Sequence, residues 1–130
     1  MTGETDLAKL LKDMQPELHE GEYVFCIVDS FQRAVTLNPV CIFQEQEAIT
    51  VILSKQQADL AALPYLLVCA WITLTIHSSL EAVGLTAAVS KALTNANISC
   101  NMVAAYYHDH IFVPVQDADR AMDVLLQLTK

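Results

Sequence analysis

Trp71-Ile72-Thr73-Leu74-Thr75-Ile76-His77-Ser78-Ser79-Leu80-Glu81 is a strand that runs straight into the start of a helix. Its first six residues are β-branched, aromatic or aliphatic and close a strand read over Leu66–Ile76. Ser78-Ser79-Leu80-Glu81 is a capping box, in which the hydroxyl takes the N3 amide and the carboxylate reaches back to the cap amide. The spacing predicts a helix from Leu80 to about Ala96. Downstream, Ile98–Tyr106 and His110–Val115 read as a hairpin, and Asp117–Leu128 as an amphipathic helix capped by Asp117. Strand, helix, hairpin and helix in this order begin the split βαβ plan, so the fold class is α+β with an antiparallel sheet covered by helices on one face.

Upstream the same plan recurs in degraded form. Leu7, Leu10, Leu11 and Met14 give a short amphipathic helix that starts near Thr5 and stops before Pro16, and the polar Glu17–Glu22 reads as a loop. Tyr23–Val28 is a strand. Val40–Phe43 and Ile49–Leu53 form a hairpin, and Ser54-Lys55-Gln56-Gln57 opens a helix that Pro64 ends. Tyr23–Ser30 matches Trp71–Ser78 in pattern at an offset of 48 residues, whereas Ile49 matches Ile111 at an offset of 62. The offsets differ by about one helix, so the first half is expected to have lost the helix between its first two strands and to keep only Phe31–Leu37 there. Two ferredoxin-like halves in tandem are expected, residues 1–64 and 65–130, the first of them degenerate.

Leu74–Val89, Ile98-Ser99-Cys100-Asn101 and Tyr106–Pro114, together with Glu17–Phe25, resemble the small stand-alone bacterial tandem ACT-like proteins across nearly the whole chain. That resemblance implies a regulatory protein that binds a small metabolite, often an amino acid, at the turn between first strand and first helix, beside a neighbouring ACT unit. The second half departs from the plan in one respect: after the helix ending at Leu128 it has no fourth strand of its own. Another segment must cover that sheet edge.

Composition narrows the partners. The chain has 130 residues and a formal net charge of −8, so phosphate backbones and anionic lipid are repelled, and neither nucleic acid nor membrane is an expected partner. Asp59 and Pro64 interrupt the apolar run Ala58–Ile76, which rules it out as a membrane span. The hydrophobic share of 54% exceeds what a soluble chain of this size typically carries and leaves apolar surface for a partner subunit, so a homodimer is expected. Cys26, Cys41, Cys69 and Cys100 lack the paired spacing of zinc ligands and read as reduced core thiols, which places the chain in the cytoplasm.

Alternation along the strands puts Ile72, Leu74, Ile76, Ile111, Val113 and Val115 on the helix-covered face and Thr75, His77, His108, His110 and Phe112 on the other. The expected ligand site therefore comprises His77, Ser78, Ser79, Glu81, Gly84, Asn101, His108, Asp109 and His110. Free amides at the Ser78-Ser79 helix start attract a carboxylate. Glu81 or Asp109 can take an ammonium, and Asn101 can both donate and accept. Two alternatives stay open: plain helix capping with a polar hairpin, and a divalent-metal site using His77, His108 and His110. Gly84 within a helix costs about 1 kcal/mol relative to Ala, so a helix or a ligand is expected to approach its backbone.

No nucleophile with an adjacent base and no G-x-S-x-G, H-E-x-x-H, P-loop or G-x-G-x-x-G motif occurs, so an enzyme is not expected, nor a cofactor. Cys100 beside His77 would be a thiol–imidazole pair only if the thiol left the core. A small-molecule sensor is the leading reading; a purely structural or protein-interaction module and a divalent-metal-binding protein are its alternatives.

Overall fold

The computed structural model describes residues 6–76 and 83–130. Along the chain run α1 (Leu7–Asp13), β1 (Gln15–Leu18), β2 (Tyr23–Val28), α2 (Phe31–Thr36), β3 (Cys41–Gln44), β4 (Ile49–Ser54), α3 (Lys55–Leu60), β5 (Val68–Thr75), α4 (Leu85–Asn95), β6 (Asn101–Ala104), β7 (Asp109–Pro114), a single 3-10 turn (Val115–Asp117) and α5 (Ala118–Leu128). Two compact units result, and they do not divide the chain at residue 64. One is Glu20–Cys69; the other joins the residues up to His19 with Ala70–Lys130.

In the unit of Glu20–Cys69 the strands stand in the order β3-β4-β2-β5, all antiparallel. Its fourth strand is the start of β5, where Val68 and Cys69 pair with Val24 and Tyr23. Period-two alternation sends Val24, Cys26 and Val28 of β2 and Val51 and Leu53 of β4 into a core with Ala34 and Ala58 of the helices. A helix does stand between the first two strands: α2 has only six residues and is capped by the Ser30 hydroxyl, which accepts from the Arg33 amide at 3.2 Å. At α3 the predicted cap is present, with Ser54 Oγ accepting from Gln57 N at 3.2 Å.

In the other unit the order is β1-β5-β7-β6, and β1 supplies the strand missing from the second half. Gln15, Pro16, Glu17 and Leu18 pair antiparallel with Thr75, Leu74, Thr73 and Ile72. The loop expected from Glu17 onward is thus half strand. The reason is tertiary: an unpaired β5 edge exposes a row of N–H and C=O groups, and a nearby segment fills it whatever its own propensity. Pro16 is tolerated because β1 is itself an edge.

Ile72, Leu74 and Ile76 of this unit, with Ile111 and Val113, pack under Leu85, Val89 and Leu93 of α4, Ala121 and Leu125 of α5, and Leu10 and Met14 around α1. Each large side chain buried there stabilises by roughly 1.5–3 kcal/mol. Val115 departs from the expected face, because the strand ends at Pro114 and Val115 opens the 3-10 turn, half-buried. Asp117 stands at the N-cap of α5 without capping it; its carboxylate accepts from Arg120 Nη2 at 3.0 Å instead.

The helix expected from Leu80 begins at Leu85. Gly84 is consequently not a helix-interior residue but the N-cap, at φ +100°, a left-handed conformation that only glycine adopts without strain. A close approach is present there: a Cβ on Gly84 would stand 3.1 Å from Leu7 Cδ2, so what approaches is the side chain of a neighbouring helix.

Candidate functional site

β5 and β7 are neighbours, and the residues of β5 that alternate with the buried Ile72 and Leu74 turn Trp71 and Thr73 to the face away from the helices. There they meet His110 and Phe112 of β7 and His19, the residue just after β1. His19 and Trp71 stack with ring centroids 3.6 Å apart and planes 12° from parallel. A backbone bond from His19 N to Trp71 O, 2.9 Å, holds the two segments in register beneath that stack. Trp71 also lies over Phe112, centroids 6.2 Å apart, and Phe112 is buried.

A hydrogen-bond chain runs across these rings. The Thr73 hydroxyl is 2.6 Å from His19 Nε2 and 3.0 Å from His110 Nδ1, and the Trp71 indole N–H donates to the same Nδ1 at 3.1 Å. An indole nitrogen can only donate, so His110 Nδ1 must accept, and the proton of the neutral ring sits on Nε2. His19 Nε2–H can then donate to Thr73 Oγ1, whose own hydrogen shares the single His110 Nδ1 lone pair with the indole N–H. Burial holds His110 below its ordinary imidazole pKa, and the charges of His108 and His19 push in the same direction.

The pairs Thr73–His110 and Trp71–Phe112 run oppositely along the two strands, so His108 lies toward the Thr75–Ile76 end of β5. Its Nδ1 is buried and has no hydrogen-bond partner, a costly state for a polar atom. Beside it, burial raises the Asp109 carboxyl while the His108 charge lowers it. Asn101, opposite Phe112 on β6, uses its amide to donate to the Phe112 carbonyl at 3.4 Å.

Of the expected site residues, the fold thus gathers His108, Asp109 and His110 on one hairpin arm, with Asn101 across the ladder. Gly84 is not with them; it packs on Leu7, which belongs to the helix-covered core. His77, Ser78, Ser79 and Glu81 lie outside the described residues. The three-histidine metal alternative includes His77 and so also extends beyond them; among the described residues no group of three His, Cys, Asp or Glu side chains is placed to hold a metal ion. Cys100 packs against the core, and burial pushes its thiol pKa up. His19, Trp71 and Thr73 were absent from the expected set. Extending the β5 alternation two steps back from Thr75 identifies Thr73 and Trp71, whereas His19 has no local signal because the pairing of β1 is not written in its residues.

An ACT-domain model matches residues 2–70, and a second ACT-domain model matches residues 67–127. The chain belongs to the ACT-domain family. Its architecture is two tandem ACT domains of ferredoxin-like α+β type. A structure from Vibrio cholerae, described as a protein of unknown function and possible transport protein, is 42% identical, with a TM-score of 0.88, and the match covers 95% of this chain and 96% of that one. The ligand-free regulatory subunit of aspartate kinase from Thermus thermophilus shares the fold at 12% identity and TM-score 0.65, covering 92% and 99% of the two chains. E. coli aspartokinase III, solved with aspartate and ADP, shares it at 14% identity and TM-score 0.62, covering 87% of this chain and 32% of that one. Among curated proteins none matches. The family fits a ligand-binding regulatory role. No helix among the described residues is long and apolar enough to cross a membrane.

Proposed function

We propose that this chain is a non-catalytic, cytoplasmic regulatory protein that binds an amino acid and works as a homodimer. The observation that carries the reading is His108. Its buried, unpartnered Nδ1 sits at the end of β5 that leads into the connection to α4, the strand-to-helix turn at which the ACT-like resemblance puts the ligand. A buried polar atom without a partner is a standing cost, and a ligand group that bonds to it removes that cost. Asp109, the next residue, offers a carboxylate for an ammonium at the same end of the strand pair. Ser78, Ser79 and Glu81 complete the proposed site from the sequence side, with Asn101 and His110 at its margin.

Thermal-shift screening of the proteinogenic amino acids tests this. A ligand at one hundred times its Kd adds about 2.7 kcal/mol to the folded state, which raises Tm by several degrees. His108→Ala and Ser79→Pro should each abolish the rise while leaving the unliganded protein folded. A screen in which no amino acid shifts Tm refutes the amino-acid reading. A shift produced only by zinc or nickel, and lost in His110→Ala, supports the metal alternative in its place.

A further inference from the structure

His19 ties the end of β1 to β5 in three ways. Its amide donates to the Trp71 carbonyl at 2.9 Å, its ring stacks on the indole, and its Nε2 stands 2.6 Å from Thr73 Oγ1. The strand brings little of its own: Gln15, Glu17 and Leu18 are exposed, and Pro16 has no amide to donate. Met14, buried in the core just before β1, anchors the start of the strand, so its end depends on His19. On the far side of Thr73, His110 Nδ1 lies 3.0 Å from the same hydroxyl and accepts the indole N–H at 3.1 Å. Thr73 is only 6% exposed, so its hydroxyl relies on these two rings for partners.

We propose that His19, Thr73 and His110 form a proton-operated latch on the end of β1, closed while His110 Nδ1 is unprotonated and released when that nitrogen takes a proton from solvent. The device works in the unliganded chain and stands apart from the amino-acid reading. A neutral His110 carries its hydrogen on Nε2, so Nδ1 is where a second proton must land. The new Nδ1–H then points at the indole N–H, donor against donor. It also points at the hydroxyl hydrogen of Thr73, which has to turn away. Once turned, the Thr73 oxygen faces two imidazole N–H groups, one of them charged, and its own hydrogen needs another acceptor. Every such arrangement loses at least the bond to the indole. Position in the sheet decides which part moves. Trp71, Thr73 and His110 stand on β5 and β7, the inner strands of this unit, whereas His19 follows the edge strand and can turn to water.

The surrounding groups set where the latch opens. Burial opposes a charge on His110, and His108 and His19 repel one, so opening falls on the acid side of the ordinary imidazole range. The Asp109 carboxyl, raised by burial, interacts with His108. Val103, opposite His110 on β6, is uncharged. Glu17, opposite Thr73 on β1, and Glu20, next in sequence to His19, favour a charged ring, but both are exposed and screened by water and salt.

Hydrogen exchange of single amides tests this, followed by NMR on the unliganded chain with a chelator present and corrected for the intrinsic rate. One proton changes the opening equilibrium by at most tenfold per pH unit, so between about pH 7 and about pH 5 the protection of the His19 amide should fall about tenfold relative to that of Ile111 and Val113 in β7. His110→Asn places an amide oxygen where Nδ1 accepts and takes no proton, and Thr73→Val removes the hydroxyl that joins the two rings. Each should remove most of the fall, whereas His108→Asn should keep it. The inference is overturned by a fall that is absent in the wild type, that Ile111 and Val113 share in full, that persists in either His110→Asn or Thr73→Val, or that disappears in His108→Asn.

Discussion

Replacing Trp71 with Phe should raise the proton affinity of His110 by about two- to tenfold. The indole N–H, 3.1 Å from His110 Nδ1, occupies the lone pair that a second proton needs. Protonating that nitrogen in the native protein sets two N–H groups against each other, so the bond to the indole must break first. A hydrogen bond of this kind contributes about 0.5–1.5 kcal/mol, and 1.4 kcal/mol is a factor of ten in an equilibrium constant. Phenylalanine keeps a ring to stack on His19 and Phe112 but has no donor, and Thr73 Oγ1 can then turn its lone pair toward a new Nδ1–H. Burial and the nearby His108 and His19 charges are unchanged, so part of the depression of His110 persists. Nitrogen-15 detected imidazole spectra over a pH series read this directly. The wild type should show His110 as the Nε2–H tautomer, and the variant should titrate at higher pH. An Nδ1–H tautomer in the wild type, or a midpoint that does not move upward in Trp71→Phe, refutes this hydrogen-bond direction.

Other expectations can be checked on the unliganded chain by denaturant or thermal unfolding. Gly84→Ala should cost about 1–2 kcal/mol, from a left-handed φ and a new Cβ 3.1 Å from Leu7, and adding Leu7→Ala should recover the steric part only. Ala62 stands just past α3 at φ +57°, so Ala62→Gly should stabilise by roughly 0.5–1 kcal/mol. Ser54→Ala removes the α3 cap and should cost about 1 kcal/mol. For pH, the depressed His110 contributes stability that is present above the ordinary imidazole value and is lost as pH falls through its folded pKa. Asp109, raised by burial, acts in the opposite sense: its contribution is present below the ordinary carboxyl value and is lost as pH rises through its folded pKa. Urea unfolding of His110→Gln should therefore show a smaller loss of stability than the wild type on acidification from neutral pH toward the carboxyl range.

What could be read from the residues depended on how local each signal was. Tyr23–Val28 stands where β-branched and aromatic content put it, and Ser54 caps α3, because a strand's alternation and a helix cap are written within four to eight consecutive residues. The stripe of α4 was legible for the same reason: Leu85, Val89 and Leu93 recur at helical spacing and all three are buried. Gly84 was misplaced by one level of structure. Its presence signalled close approach, and Leu7 does approach, but the sequence around it cannot tell a helix-interior glycine from an N-cap in the left-handed region.

β1 shows the other limit. Gln15-Pro16-Glu17-Leu18 has no strand propensity, yet it pairs with four residues of β5, because β5 begins as the fourth strand of one unit and continues as the first strand of the other. The demand for a partner lies on the β5 edge, more than fifty residues away. The same long-range pairing brings His19 against Trp71 and Thr73, so the part of the polar cluster missing from the sequence reading is the part that β1 carries. His110 was identifiable from alternation within its own strand. Its protonation state was not, since that depends on an indole thirty-nine residues earlier in the chain. In this protein a side chain's face follows from its neighbours in sequence, and its hydrogen-bonding role from its neighbours across the sheet.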